Sequence, residues 1–316
     1  MQRVALIYNP ASGQYSARRA AAVEDALDVL RDAGIAAEAY DTDRAGSAGN
    51  FARQAIREGC DTILACGGDG TVHEILQSLV GTEVALGVIP LGTANALAAN
   101  LDLIASPAKV ARKLLKAEPV RVPVGRIHYR DSAGKPRSRY FIVAAGIGAD
   151  ALLMSRLDAG LKRRFGYVLY LVEAFRIWAT DPLSLFEVVL PANGSGKPQV
   201  MEVSQLLAVR VRSFGGVLRK LAPGATLHDS SLRLLAFKTR SRLRYLRFLI
   251  GVVFGRHTFS HEIQLLETAS VECRARNGSH APIFVEADGE VLGSLPVRIE
   301  VVPQALTLLI SPDVKA

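Results

Sequence analysis

The first third of the chain alternates short apolar runs with stretches in which apolar residues recur every three or four positions. The short runs predict buried β-strands over residues 4–8, 35–40, 61–66 and 84–89. The stretches between them predict helices over residues 16–31, 48–57 and 72–79, and Gly34 and Gly81 follow two of these helices. Strands that alternate with helices are typical of a parallel sheet with helical crossover connections, so this part of the chain is predicted to be α/β.

Beyond about residue 120 the apolar runs become mostly strand-like, with turn residues between them. These runs cover residues 139–145, 183–190, 203–211, 232–237, 283–287 and 297–302, and two helical stretches, 164–178 and 243–254, interrupt them. The pattern predicts a mostly antiparallel second domain. We therefore expect two domains, residues 1–121 and 122–302, with the tail 303–316 returning to the first.

Three polar, glycine-containing turns follow strands of the first domain, at residues 9–13, 67–71 and 90–95. The carboxyl ends of parallel strands meet at one edge of a sheet, where ligands bind in this architecture. Glycine lets the backbone approach a phosphate closely, and the N-terminal end of the following helix attracts negative charge. One such turn is explained equally well as a tight connection, but three at one edge predict a nucleoside triphosphate site. The turns match neither the Walker A loop nor the Rossmann fingerprint.

Positive charge is concentrated in the second domain. The chain has a formal net charge of +8, and the segment from Arg210 to Arg256 contains eleven basic residues and a single acid, Asp229. Such a segment favours a polyanionic partner, such as phospholipid head groups, nucleic acid or a phosphorylated substrate, although a solvated surface explains it equally well. The neighbouring apolar run, residues 248–254, is much shorter than the ~20 residues of a membrane-spanning helix.

The N-terminus and the cysteines indicate a compartment. The chain begins directly with a predicted strand, so a signal peptide is not expected. Together with the short length of the apolar run 248–254, this predicts a soluble or at most peripheral protein. Its three cysteines, Cys60, Cys66 and Cys273, contain no C-x-x-C pair. This number and spacing favour a reducing compartment and argue against a disulfide framework or a zinc site.

Three motifs in order along the chain carry a family resemblance: Gly67-Gly68-Asp69-Gly70-Thr71-Val72-His73-Glu74, Pro90-Leu91-Gly92-Thr93-Ala94-Asn95 and Asp288-Gly289-Glu290. Together they resemble the diacylglycerol kinase catalytic-domain superfamily, which includes bacterial soluble lipid kinases and the sphingosine and ceramide kinases, with NAD kinases as distant relatives. The resemblance covers nearly the whole chain. It implies an α/β N-terminal domain like that of NAD kinases, a C-terminal β-sandwich, and transfer of the γ-phosphoryl group of ATP to a lipid hydroxyl group with Mg²⁺.

The resemblance also implies a set of ATP-binding residues: Asn9, Pro10, Ala11, Ser12, Gly13, Thr42, Gly67, Gly68, Asp69, Gly70, Thr71, Val72, His73 and Thr93. Thr42 follows the second predicted strand, and an ordinary loop threonine is its alternative interpretation. Asp69, at a predicted helix start, is suited to hold Mg²⁺ on the phosphates, although it could also serve only as a helix cap.

Glu290 occupies the position of the family's general base, which takes the proton from the lipid hydroxyl group. Asp69 is the alternative base. Glu286, Asp288 and Glu290 alternate in sequence and would share one face of a continuing strand. The Asp-Gly pair is equally typical of a hairpin turn.

Two further sites are implied by the resemblance. Asp229, with the backbone carbonyl groups of Thr226 and Ser231, would hold a structural Mg²⁺, although Ser230 and Arg233 depart from the family pattern there. The basic stretch 162–166 would bring cations to the phosphates or would simply be a solvated or membrane-facing turn.

The substrate and the assembly are less sharply defined. Asn95-Ala96-Leu97-Ala98 is closer to the sphingosine and ceramide kinase pattern, and Val122-Pro123-Val124-Gly125 lacks an aspartate common in bacterial diacylglycerol kinases. We expect a lipid substrate at an anionic membrane surface, a cytoplasmic protein peripheral to the inner face of the membrane, and allow for a homodimer. The alternatives are an NAD kinase and a non-enzymatic nucleotide-gated adaptor for a membrane or nucleic acid. The latter is disfavoured because no cluster of stacking aromatic residues accompanies the arginines.

Overall fold

The chain forms two structural units in the computed structural model. The structure describes residues 1–10, 16–42, 44, 46–156, 176, 183–192, 197–214, 222, 224–253, 261–276 and 282–314. The first unit contains residues 1–124 and 303–316, and the second contains residues 125–302. The predicted helix over 164–178, apart from Arg176, and the basic stretch 162–166 lie outside the described residues.

The first unit alternates strands and helices. Its elements are β1 (Arg3–Tyr8), α1 (Ser16–Asp32), β2 (Ala36–Asp41), α2 (Ser47–Arg57), β3 (Thr62–Gly67), α3 (Asp69–Leu79), β4 (Ala85–Pro90), α4 (Ala96–Asn100) and α5 (Pro107–Leu114). The four strands pair in parallel in the order β2-β1-β3-β4. The predicted α/β class and the parallel sheet are thereby confirmed.

Burial explains why these strands were recognisable. Every residue of β3 is buried, as are the central residues of β1 and β4, because helices cover both faces of a parallel sheet. The edge strand β2 alternates more exposed and less exposed residues instead. The chain leaves β1 towards β2 on one side of it and β3 lies on the other, so the carboxyl edge has a switch point next to β1.

The second unit is antiparallel, as predicted. Its elements are β6 (Pro136–Phe141), β7 (Ala144–Gly148), α6 (Ala149–Arg156), β8 (Phe186–Leu190), β9 (Gln199–Val203), β10 (Gln205–Val209), β11 (Leu232–Phe237), α7 (Arg242–Val253), β12 (Ile263–Thr268), β13 (Ser270–Ala275) and β14 (Phe284–Ala287). Two long strands, β5 (Glu118–Arg130) and β15 (Glu290–Ile310), contribute residues to both units. The strands β12-β11-β10-β7-β14-β15 follow one another as antiparallel neighbours.

Two predicted strands are each divided in the structure. The run 139–145 separates into β6 and β7, because backbone N–H groups at its centre bond to the carboxylate of Asp288. The run 203–211 separates into β9 and β10 at Ser204, whose hydroxyl group donates to the carbonyl oxygens of Phe237 and Thr239. Hydrogen bonds between a side chain and backbone distant in sequence therefore set both breaks, which the apolar pattern did not reveal.

Candidate active site

The glycine turns that follow β3 and β4 pack directly against each other. The Leu91 N–H donates to the Gly67 carbonyl oxygen at 2.9 Å. A Cβ at Gly92 would lie only 2.4 Å from the Cα of Gly68, so the two backbones approach to a distance that excludes any side chain at Gly92. The turns predicted as phosphate-binding elements therefore form one backbone surface at the carboxyl edge of the sheet.

Gly67 is required for the tight start of α3. A Cβ there would lie 2.4 Å from the hydroxyl oxygen of Thr71, and the N–H groups of Thr71 and Val72 both donate to the Gly68 carbonyl oxygen. Helix α3 begins at Asp69, so its N-terminal end, with its partial positive charge, lies at the carboxyl edge of the sheet.

Asp69 joins the two turns. Its carboxylate accepts a hydrogen bond at 2.7 Å from the N–H of Ala96, the first residue of α4. Asn95, in a left-handed conformation with φ of 49°, fixes the same turn because its amide group bonds to both the N–H and the carbonyl oxygen of Gly92, at 2.9 and 2.8 Å. Asp69 is half-buried and is the first residue of α3, whose N-cap is Gly68. The carboxylate thus holds a fixed position between the two glycine turns.

The remaining predicted nucleotide residues of the first unit differ in exposure. Asn9 and Pro10 follow β1 and are half-buried, whereas Ala11, Ser12 and Gly13 lie outside the described residues. Thr42 is buried, and its N–H donates to the Tyr8 carbonyl oxygen at 2.9 Å. Gly70 and Thr93 are exposed.

The side chains of Val72 and His73 lie in the interior: they are 4% and 0% exposed. These two side chains therefore support α3 from within. Glu74, for which the sequence motif alone assigned no role, caps the neighbouring helix α2. Its carboxylate accepts hydrogen bonds from the N–H groups of Gly46 and Ala48 at 2.7 and 3.1 Å.

In the second unit, Asp288 and Gly289 form a two-residue hairpin turn between β14 and β15. Their φ angles are 48° and 86°, the combination that a type I′ turn requires. The strand does not continue through Asp288, so the hairpin interpretation is correct and the shared face of Glu286, Asp288 and Glu290 is not formed. The Asp288 carboxylate accepts three hydrogen bonds of 2.9–3.0 Å from consecutive N–H groups at residues 142–144. Asp288 is therefore an anchor for the turn.

Glu290 is the first residue of β15 and remains accessible. Its side chain is 35% exposed, and one carboxylate oxygen lies 3.2 Å from the guanidinium group of Arg139 on β6. The sequence analysis did not identify Arg139, because 151 positions separate the two residues. The arginine fixes the orientation of the carboxylate while leaving part of it open to solvent.

A buried pair of acids supports the same turn. Glu286 is 3% exposed and accepts a hydrogen bond from the Gly289 N–H at 2.7 Å. Its other carboxylate oxygen faces Asp150 of α6 across Gly146, where a Cβ would lie 2.7 Å from Glu286 Oε1 and 2.5 Å from Asp150 Oδ2. Burial, and then the charge of Asp150, raises the pKa of Glu286 well above its ordinary value. Burial also raises the pKa of Asp150 to about 6, although the hydrogen bond from Glu286 opposes this rise. The two carboxyl groups are therefore suited to share one proton.

The loop predicted to hold a structural Mg²⁺ has a different arrangement. The Asp229 carboxylate accepts hydrogen bonds from the N–H and the hydroxyl group of Thr226, at 2.9 and 2.8 Å. The Ser231 carbonyl oxygen accepts one from the guanidinium group of Arg210 at 2.8 Å. The oxygen atoms assigned to the metal are thus engaged by the protein's own donors, and they do not fit a divalent cation. Among the described residues, no group of three or more His, Cys, Asp or Glu side chains is arranged to hold a metal ion.

The structure therefore brings the predicted residues together in two separate groups. Asp69 and the glycine turns belong to the first unit, and Glu290 with its supporting turn belongs to the second. Arg139 and Asp150 are the contributors that sequence reasoning missed. Glu286 and Arg210 were named from the sequence, but their burial was not predicted. Within the described part of the chain, no helix has the length and apolarity needed to span a membrane.

Two family models match successive parts of the chain. A family model described as the diacylglycerol kinase catalytic domain matches residues 3–127. A second, described as the YegS C-terminal NAD kinase beta sandwich-like domain, matches residues 142–310. The protein called "Probable lipid kinase YegS-like" of Chromohalobacter salexigens is 30% identical over 291 residues, which cover 90% of this chain and 88% of that protein.

Two further relatives match over nearly their whole length. A diacylglycerol kinase of Mycobacterium tuberculosis is 29% identical over 314 residues, which cover 97% of this chain and 94% of that protein. The crystal structure of a diacylglycerol kinase from Bacillus anthracis superposes with a TM-score of 0.70 at 20% identity, covering 99% of this chain and 98% of that one. The superposition establishes a common fold for the two chains.

Proposed function

The chain belongs to the family of diacylglycerol kinases and YegS-like lipid kinases, and we propose that Asp69 and Glu290 carry the transfer of the γ-phosphoryl group of ATP to the hydroxyl group of a diacylglycerol-like or sphingoid lipid. The protein is an ATP-dependent lipid kinase, a phosphotransferase with an alcohol acceptor. The NAD kinase alternative has less support, because the relatives that match at full length carry lipid kinase names. The observation that carries the proposal is the Asp69–Ala96 hydrogen bond, which joins two glycine turns into one surface.

This surface is suited to a triphosphate. Phosphoryl transfer depends on positioning and on neutralised charge more than on covalent help from the protein. The backbone of the two turns can approach phosphate oxygens because Gly68 and Gly92 carry no side chain, and α3 directs its positive end to the same edge. In this proposal Asn9 to Gly13, Thr42, the 67–73 segment and Thr93 contribute to the ATP site, through backbone contacts in the case of the buried Val72 and His73.

The half-buried carboxylate of Asp69 fits Mg²⁺ chemically, because Mg²⁺ prefers carboxylate oxygen, water and substrate phosphate as ligands. Asp69 would hold the ion directly or through water. When bound with ATP, the ion supplies charge neutralisation for the phosphates. The protein's own contribution is the fixed position of the carboxylate, which the Ala96 N–H maintains.

Glu290 is the proposed general base for the lipid hydroxyl group, and Asp69 is the alternative. The accessibility of Glu290 and the contact with Arg139 support this role, because a base has to be both oriented and reachable by the substrate. The turn that positions Glu290 is held at two points, by Asp288 on the 142–144 backbone and by Glu286 on the Gly289 N–H.

We further propose that α7 contributes to peripheral association with the anionic, cytoplasmic face of a membrane. The helix packs the partly buried Tyr245 and the buried Phe248 against Phe237, with ring centroids 5.3 and 5.2 Å from that ring. It exposes what we call the α7 surface, formed by Leu243, Arg244, Arg247 and Ile250. Apolar and basic residues on one exposed face favour an interfacial position on an anionic bilayer.

Two observations reduce the number of arginines in the basic segment, residues 210–256, that can contribute to membrane binding. Arg210 is buried at 1% exposure and cannot meet a membrane. Arg233 and Arg244 lie near the acids Glu267 and Glu262, which reduces their net contribution. The homodimer stays a prediction.

The proposed function is tested by incubating the protein with γ-labelled ATP and Mg²⁺, in separate reactions that contain either NAD or one lipid. The lipids are diacylglycerol, sphingosine and ceramide, each in vesicles of anionic phospholipid. The expected result is a labelled phospholipid from one of these lipids, with no labelled product from NAD. Asp69→Asn should lose the product, whereas Glu272→Gln, an exposed carboxylate paired with Arg298, should retain it. Labelled NADP with unlabelled lipids would overturn the proposal.

A further inference from the structure

Arg210 is a buried cation at the end of β10. Its side chain is 1% exposed and is among the largest fully buried side chains of the described residues. The backbone N–H of Arg210 donates to the Val143 carbonyl oxygen at 2.9 Å, so the backbone continues the pairing of β10 with β7 and fixes the root of the side chain. A buried cation is costly unless hydrogen-bond acceptors surround it.

The acceptors are the backbone carbonyl groups of a single loop. The guanidinium group of Arg210 donates to the carbonyl oxygens of Asp229 at 2.5 Å, Ser231 at 2.8 Å and Leu227 at 3.2 Å. Three inward-facing carbonyl groups on five consecutive residues form a cradle of negative partial charge. Such a cradle is the arrangement by which protein loops commonly hold hard cations.

The loop is shaped by its own side chains. Asp229 bonds back to the N–H and hydroxyl groups of Thr226, and Gly224 adopts a φ of 82° where the loop begins. Because the Asp229 carboxylate is engaged with Thr226 through both oxygens, it closes the loop from outside while the carbonyl groups point inwards at Arg210.

We infer that Arg210 is the resident cation of the 226–231 loop and takes the place of the divalent cation that the family resemblance predicts there. A guanidinium group and a divalent ion that shared the Ser231 carbonyl oxygen would lie within about 5 Å of each other, given a Mg²⁺–oxygen distance of ~2.1 Å and the 2.8 Å hydrogen bond. Two cations at that distance repel each other strongly. The 226–231 loop therefore folds without a metal ion.

The charge state and a neighbouring residue support this inference. Burial lowers the pKa of Arg210 to about 10, while the charge of Asp229 opposes this change, so the guanidinium group stays protonated at neutral pH. A second cation, Arg233, lies at the same loop, with a guanidinium nitrogen 3.9 Å from the position of a Cβ on Gly224. Arg210 thus donates to the loop carbonyl oxygens, and Arg233 adds a second covalently attached cation beside the start of the loop.

Thermal unfolding of the full chain without nucleotide, in EDTA and in millimolar MgCl₂, tests the inference. The Asp69→Asn variant, which lacks the proposed nucleotide-site carboxylate, should unfold at the same temperature in both solutions, because an ion that does not bind the native state cannot stabilise it. Arg210→Met should lower the unfolding temperature by roughly 5–10 °C. Arg210→Lys, which keeps a cation, should recover part of this loss in EDTA alone.

A binding measurement keeps the inference falsifiable if Arg210→Met does not fold. The probe is Mn²⁺, followed by its electron paramagnetic resonance signal, with the Asp69→Asn variant so that the proposed nucleotide site does not compete. The expected result is no tightly bound Mn²⁺. Bound Mn²⁺ that disappears in the double variant with Asp229→Asn, or an unfolding temperature of the Asp69→Asn variant that rises by several degrees in MgCl₂, would overturn the inference.

Discussion

The two proposed catalytic acids are held by different kinds of structure. Asp69 lies between glycine turns, and its position depends on backbone groups: the Ala96 N–H and the close contact of Gly68 with Gly92. Glu290 follows a turn that is held by side chains from distant parts of the chain, namely Asp288 on the 142–144 backbone and the Glu286–Asp150 pair. A site built from close backbone contacts requires glycines, which can be recognised in the sequence. A network of side chains from distant parts of the chain gives few local sequence patterns.

This difference also suggests different chemical tasks. A rigid backbone surface with a helix N-terminus suits a substrate whose shape and charge are constant, such as a triphosphate. A base on an accessible strand end suits a lipid hydroxyl group that arrives from a surface. Substitutions in the first region should therefore act on ATP binding, and substitutions in the second on turnover or on the pH dependence of stability.

The largest effect is expected from Glu290→Gln. Removal of a general base lowers turnover by roughly 10²–10⁴-fold, while the amide keeps the size of the side chain and its contact with Arg139. Single-turnover transfer from labelled ATP to the lipid identified in the assay measures this loss. A variant with undiminished turnover at saturating ATP would remove Glu290 from the mechanism and leave Asp69 as the base.

Gly92→Ala should have the next largest effect, on the order of 10²-fold in kcat/KM for ATP. The added Cβ would lie 2.4 Å from the Gly68 Cα, so the two turns must separate, at a cost of about 1–3 kcal/mol in the free energy of unfolding. Gly70→Ala is the matched comparison for stability, because a Cβ there meets nothing within 4 Å. Equal unfolding temperatures for the two variants would contradict the close packing of the turns.

The shared proton of the Glu286–Asp150 pair predicts how stability depends on pH. Both carboxyl groups have a raised pKa in the folded protein, to about 6 for Asp150. At pH values between the pKa of the unfolded state and that of the folded state, the folded protein therefore binds more protons than the unfolded one. The free energy of unfolding consequently falls as pH rises through 6, by at most roughly 1.4 kcal/mol per pH unit for each proton. The charged groups around Glu286 are Asp150 of α6 and Asp288 of its own turn, and Tyr245 of α7 faces Asp150.

Glu286→Gln isolates this effect, because the amide replaces the shared proton and its oxygen can still accept the Gly289 N–H. Urea unfolding between pH 5 and 8 should show a shallower slope for the variant than for the wild type. Glu300, whose pKa the hydrogen bonds from His128 and Arg126 lower to about 2, loses its stabilising contribution only as pH falls below this window, so it does not obscure the comparison. Identical slopes would show that the pair does not share a proton.

The smallest effect concerns the α7 surface. Leu243 and Ile250 are 73% and 49% exposed, and replacing both by serine should weaken binding to anionic phospholipid vesicles by roughly tenfold. Ile104→Ser is the control, since Ile104 is also an exposed apolar residue, at 60%, but belongs to the first unit. Sedimentation with vesicles at low salt measures the difference, and equal weakening by both changes would exclude α7 as the specific contact.

Sequence and structure agree best where backbone geometry dictates residue type. The buried runs of β1, β3 and β4 and the glycines after them required no knowledge of distant contacts, and the strand–turn–helix order was predicted from them. The sequence did not indicate that the run 139–145 breaks where Asp288 captures its N–H groups. The sequence pattern likewise predicted that Arg210 lies in a surface segment. This prediction failed because the carbonyl groups that surround its side chain belong to residues 227–231, which the local pattern around Arg210 does not reveal. In each case one side chain binds backbone far away in sequence, and this leaves no periodic signal.

The most direct test of the account is the affinity for ATP, in the presence of Mg²⁺, of two variants, Asp69→Asn and Glu290→Gln, measured by equilibrium calorimetry against the wild type. We predict that Asp69→Asn weakens ATP binding at least tenfold, because the negative charge proposed to hold Mg²⁺ on the phosphates is lost while the amide oxygen can still accept the Ala96 N–H, whereas Glu290→Gln leaves the dissociation constant unchanged. Unchanged affinity for Asp69→Asn, with weakened affinity for Glu290→Gln, would contradict the assignment of the nucleotide to the backbone-built region.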